Sequence, residues 1–178
     1  MTRFVAFLRG VNLGRRTVHG ADLQRVFAGL GFAEVRTLLA SGNVAFTAAV
    51  GDDAGLAAGI EAGLQQAFGF PIGTVLRSRE QLQALVASRP FGEQREHHDL
   101  KLYVTLLAEP KAHLLALPCG IAGDFEVVKV TDREIFHEAY RQANGRYGAG
   151  ATLIGKPFGK TVLWTNRNWN TIVKAAAA

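Results

Sequence analysis

The feature that most constrains this chain is the order of its first 78 residues, where apolar runs alternate with helical periodicity. Thr2–Leu8 reads as a buried strand. Leu23, Val26, Phe27 and Leu30 mark one face of a helix, and Gly31 is the residue type that ends one. Glu34–Leu39 and Asn43–Thr47 predict two strands joined at Ala40-Ser41-Gly42, a hairpin signal. Leu56, Ile60, Leu64 and Phe68 give a second helix closed by Gly69, and Ile72–Arg77 a fourth strand. The order is βαββαβ, which predicts a ferredoxin-like split-βαβ sandwich.

The rest of the chain predicts a second small α+β unit. Leu82, Leu85 and Val86 place a helix over Glu80–Ser88, stopped by Pro90, and the polar Gly92–Asp99 reads as a loop between subdomains. A strand (Lys101–Leu107), a short helix (Lys111–Leu117) and two strands (Phe125–Val130, Glu134–Tyr140) follow, a related βαββ order. Asn144–Lys160 holds five glycines and a proline and predicts no regular element. Val162–Trp164 leads into a terminal helix, with Trp169, Ile172, Val173 and Ala176 on one face. The expected architecture is therefore α+β, with subdomains over 1–78 and 79–178 and the last helix packing back toward the first.

Of the 178 residues, 48% are hydrophobic and 20% charged, the balance of a folded globular chain. No apolar run approaches the ~20 residues of a membrane-spanning helix, so no membrane partner is expected. A single cysteine, Cys119, rules out an internal disulfide framework and fits a reducing cytoplasm. The net charge of +5 hides a segregation: residues 1–21 hold four arginines and residues 139–178 six bases, neither with an acid. The middle carries ten bases against all fifteen acids. If the basic ends meet, they build a local positive field.

Several motifs carry less than they suggest. Gly150 to Lys156 satisfies GxxxxGK, but Pro157 stands where a phosphate-binding loop needs a hydroxyl, and no strand precedes it. Ser41 sits at a turn with no general base nearby. His97-His98-Asp99 holds ligand-type residues, yet adjacent side chains in a strand point apart. The sequence names no metal, no cofactor and no catalytic residue.

Three segments together resemble a bacterial family, the domain of unknown function 1697. They are Arg9-Gly10-Val11-Asn12-Leu13-Gly14, the hairpin Val35-Arg36-Thr37 to Ser41-Gly42-Asn43-Val44, and Thr165-Asn166-Arg167-Asn168-Trp169-Asn170-Thr171. The resemblance implies two α+β subdomains, the first ferredoxin-like, and implies no activity. In that family a serine-lysine pair and a regular helix precede the terminal motif, where this chain has the glycine-rich Tyr147–Lys160.

The segments supply guanidinium, amide and hydroxyl groups suited to an oxyanion. Arg9, Asn12, Arg16, Arg36, Ser41, Arg167, Asn168 and Trp169 are the expected anion-binding residues. Arg9 and Arg167 would contact the anion, Asn12 and Asn168 orient it, and Trp169 pack beneath. The expected site is a basic cleft between the N-terminal loop and the C-terminal helix. Three functions stay open: binding of a phosphorylated, nucleotide-like small molecule, binding of nucleic acid, or a non-catalytic interaction role in which the motifs hold the fold.

Overall fold

The computed structural model describes residues 1–12, 17–39, 42–49, 51–148 and 150–178. The chain divides into two compact units, Met1–Gln83 with Lys174–Ala178, and Ala84–Val173.

The first unit runs β1 (Thr2–Arg9), α1 (Gly20–Gly29), β2 (Ala33–Thr37), β3 (Asn43–Ala48), α2 (Asp53–Phe68) and β4 (Gly73–Ser78), followed by the start of α3 (Arg79–Ala87). Its four strands stand in the order β2-β3-β1-β4, every neighbouring pair antiparallel. Strand alternation sorts the sheet's faces. Phe4, Ala6 and Leu8 turn toward Leu23 and Phe27 of α1 and Ile60 and Leu64 of α2. Burial of each large apolar side chain there contributes about 1.5–3 kcal/mol. The start of α2 is capped by Asp52, whose carboxylate accepts from the N–H groups of Ala54 (3.2 Å) and Gly55 (2.9 Å). Gly69, at φ 77°, ends that helix in the left-handed conformation glycine adopts freely. The other face of β1 carries Arg3, Val5, Phe7 and Arg9; Val5 and Phe7 are fully buried, as are Ala45 and Val75 beside them.

The second unit holds the rest of α3, β5 (Leu100–Leu107), β6 (Gly120–Ile121), β7 (Phe125–Val130), β8 (Glu134–Tyr140), α4 (Gly150–Gly155) and β9 (Trp164–Asn168). The boundary with the first unit falls within α5 (Trp169–Ala176). Its sheet is antiparallel in the order β6-β7-β8-β5-β9. Leu107, Phe125 and Ile135 pack from one sheet face against Ile154, Phe158 and Val162.

Four sequence expectations are corrected here. The helix expected over Lys111–Leu117 is a single 3-10 turn, Ala112–Leu114. Gly92–Asp99 lies inside the second unit instead of joining the two. The extended segment expected over Val162–Trp164 is a strand only from Trp164, and it runs on to Asn168, because Trp164–Asn168 pair with Leu107–Tyr103 of β5. Asn144–Lys160 contains α4 and a 3-10 turn, Lys156–Phe158. Its glycines answer to close packing: a Cβ on Gly155 would lie 2.0 Å from the Trp164 ring, and one on Gly150 2.7 Å from that of Phe125. The GxxxxGK stretch is thus helical and packed, without the open loop that would cradle phosphate.

Candidate functional site

The expected anion-binding residues are distributed over both units. Arg16 and Ser41 lie outside the described residues. Arg9 ends β1 and is exposed, and Arg36 is exposed on β2. Asn12 closes its own loop, its Oδ1 accepting from the Val18 N–H at 3.1 Å. These belong to the first unit, whereas Arg167, Asn168 and Trp169 belong to the second.

Arg167 is half-buried on β9, opposite Val104. Its Nη1 donates to Thr165 Oγ1 (2.6 Å) and to the carbonyl of Asn166 (2.8 Å). Loss of hydration lowers its pKa to about 10. Asn168 is the N-cap of α5, its Oδ1 accepting from the Asn170 N–H at 3.0 Å.

The side-chain amides of Asn168 and Asn170 converge on Glu96, a residue the sequence reading did not single out. Asn168 Nδ2 donates to Glu96 Oε1 (2.5 Å) and Asn170 Nδ2 to Oε2 (2.6 Å). The Leu102 N–H also donates to Oε1 (3.0 Å), and Lys101 Nζ lies 3.6 Å from Oε2. One carboxylate therefore ties the loop before β5 to the β9–α5 junction. Trp169 meets Phe91 and Phe136 edge-on, at ring-centroid separations of 5.4 and 5.9 Å.

This arrangement borders a cavity of about 260 Å³, lined among others by Arg89, Phe91, Arg95, Glu96, Trp169 and Asn170, all within the second unit. Phe91 and Trp169 give it an aromatic wall, Asn170 an amide, and Arg89 and Arg95 two guanidinium groups. Both arginines are mostly exposed and meet one carboxylate, Glu93: Arg89 Nη2 stands 2.6 Å from its Oε1, and Arg95 Nη2 3.8 Å from its Oε2. Arg89 occupies a left-handed backbone position, φ 46°, directly before Pro90 where α3 ends. Glycine is the usual residue at such helix stops. A larger residue held there costs of order 1–3 kcal/mol, a strain that persists where the surroundings enforce it.

The sequence carries these arginines only as local charge. Arg89, Glu93, Arg95 and Glu96 crowd a short polar stretch, which resembles a solvated linker until β9 and α5 are brought beside it. Among the described residues, no three His, Cys, Asp or Glu side chains are grouped to hold a metal ion.

Fold and site together define a two-unit α+β protein with antiparallel sheets and a small polar-aromatic pocket in its second unit. The chain belongs to the family described as a protein of unknown function (DUF1697), which matches residues 1–136. The solved structure of the conserved bacterial protein SP0830 from Streptococcus pneumoniae is similar to it, with a TM-score of 0.76 and 22% sequence identity over 99% of this chain and 97% of that one. That similarity bears on the fold alone. No curated protein matches the sequence.

Proposed function

We propose that this protein binds a small phosphate-bearing, nucleotide-like ligand, and that the pocket beside Trp169 receives it. The observation that carries the reading is the pairing of two exposed guanidiniums with an aromatic wall around a cavity of about 260 Å³. Arginine's planar fork suits phosphate oxygens, and an aromatic wall suits a base or similar ring. Nucleic acid is the weaker candidate. Single-strand binding needs aromatic side chains available for stacking, and Phe7, on the face of the first sheet opposite α1 and α2, is fully buried. We read the βαββαβ unit as ferredoxin-like and the free thiol of Cys119 as that of a cytoplasmic protein. No helix among the described residues is long and apolar enough to cross a membrane.

The test is calorimetric titration with the four common nucleoside 5′-monophosphates and with phenyl phosphate at low salt. The reading requires saturable binding by at least one of them, weakened about tenfold by Arg95→Ala through loss of a charge-assisted contact. Affinity unchanged in both Arg89→Ala and Arg95→Ala removes the pocket from the function.

A further inference from the structure

We infer that a second cavity of the second unit, beside the β6–β7 turn, binds a small organic cation, a protonated amine with an apolar body. The cavity measures about 340 Å³ and is lined among others by Pro118, Cys119, Ile121, Glu126, Val127 and Tyr140. None of these borders the pocket beside Trp169, so the inference is independent of the phosphate reading. The volume falls at the lower end of small-molecule sites, which span about 300–1,000 Å³. Pro118, Ile121 and Val127 make an apolar wall, and Ile121 keeps half of its surface in water. Burial pushes the Cys119 thiol up from its ordinary pKa, so near neutral pH it is a small uncharged group and no nucleophile.

The polar side chains of this cavity offer acceptors and negative charge. The Tyr140 hydroxyl donates to Glu138 Oε2 at 2.8 Å, which commits its proton and leaves the phenol oxygen to accept. Glu126 faces Glu138 directly across the β7–β8 ladder. Side chains paired in this way stand about 5 Å apart at Cβ, where like charges repel. Glu138 is 9% exposed, and among the described residues neither glutamate has a cationic partner. The hydrogen bond to Glu138, the burial of the phenol and the charges of Glu138 and Glu126 push the Tyr140 pKa up to about 12, so its proton stays in place. A carboxylate and a phenol oxygen at the cavity, with a second carboxylate behind them, form a negative pole. An ammonium group complements that pole, having N–H donors and no acceptor. An anion meets repulsion there and, among the lining side chains, no donor stronger than a thiol. The ligand thus places its ammonium at Glu126 and Tyr140 and its apolar body against Pro118, Ile121 and Val127.

The experiment is an NMR titration of the isotope-labelled chain with phenethylammonium at neutral pH and low salt. Titrations with 2-phenylethanol and phenylacetate run beside it, keeping the ring and replacing the ammonium by a neutral and an anionic group. A dissociation constant on the order of 1 mM is expected for a probe of this size, with saturating shifts at the amides of Ile121, Ala122 and Val127. The alcohol and the carboxylate bind at least about tenfold more weakly, for want of the charge-assisted contact. Glu126→Gln keeps the size of the side chain and removes its charge. It weakens phenethylammonium about tenfold and leaves 2-phenylethanol unchanged. Absence of saturable shifts at those amides overturns the inference, and so do shifts centred on Trp169 and Asn170. Equal binding of the three probes, or wild-type affinity for phenethylammonium in Glu126→Gln, overturns it as well. Glu126 is exposed, and a melting curve for Glu126→Gln shows that the comparison concerns folded protein.

Discussion

Glu93 and Glu96 stand three residues apart in one loop and occupy opposite regimes. The Glu96 side chain is 12% exposed and accepts from a backbone N–H and two asparagine amides. Glu93 is 79% exposed and meets two arginines that are themselves mostly in water. Two residues of one type, nearly adjacent, thus do different work. Directional hydrogen bonds from neutral donors to a largely buried carboxylate fix a structure, whereas exposed charge pairs remain exchangeable. The same contrast separates Arg167 from Arg89 and Arg95. Arg167, the more conspicuous in sequence, is half-buried and bonded to Thr165 and Asn166, while the two less conspicuous arginines line a cavity.

Removal of Glu96 has the largest expected effect. Glu96→Ala leaves the Leu102 N–H and the amides of Asn168 and Asn170 without their acceptor, and is expected to lower unfolding stability by about 3 kcal/mol in urea titration. A loss no greater than that of Glu93→Ala breaks the contrast. Asn168→Ala gives a smaller loss: it removes the α5 cap, worth about 1 kcal/mol, and one bond to the carboxylate, but keeps the carboxylate's other two hydrogen-bond donors.

Acid sharpens the comparison through His137 on β8. This histidine is 1% exposed, its ring stacks on Tyr103 at 5.5 Å and meets Phe125 edge-on, and its Nδ1 has no hydrogen-bond partner among the described residues. Burial lowers its pKa from 6.5 to about 4. Between those values the unfolded chain binds a proton that the folded chain refuses. Stability from this group is therefore complete above pH 6.5 and falls as pH drops toward 4, by about 3 kcal/mol in total, with no further change below. His137→Phe should flatten that slope in urea titrations at pH 7.5, 5.5 and 4.5. If it does not, the acid sensitivity belongs elsewhere, and the two glutamates can be compared in acid as well as above pH 6.5.

How far the sequence reached depends on the range of the contacts involved. The first unit was legible because its signals are local: Leu23 and Phe27 share a helix face, Gly69 ends its helix, and Phe4, Ala6 and Leu8 alternate toward one core. Gly150 and Gly155 were not legible as packing residues, since their reasons are the rings of Phe125 and Trp164 on other strands. The end of β9 was hidden likewise, because Asn168 is held extended by Tyr103 on β5. The three motifs pointed to Trp169, which does border the pocket. They could not point to Glu96, whose amide partners lie 72 and 74 residues away. Arg89 and Arg95 were missed for the same reason: a loop's charges acquire meaning only from the wall placed opposite them.

The smallest expected effect is the most discriminating. Glu93→Gln breaks an i,i+4 pair with Arg89 and a longer contact with Arg95, both in high dielectric. Exposed pairs of this kind contribute about 0.3–0.5 kcal/mol, so its unfolding midpoint in urea should barely move. The freed guanidiniums should instead appear as a gain in anion affinity. A near-silent change in stability with a clear gain in phenyl phosphate affinity is the signature of a displaceable internal anion. Destabilisation by more than about 1 kcal/mol would mean that Glu93, like Glu96, holds its loop together, since exposed pairs rarely exceed that value. The arginines would then be structural partners, and the pocket's claim on phosphate would rest on its shape alone.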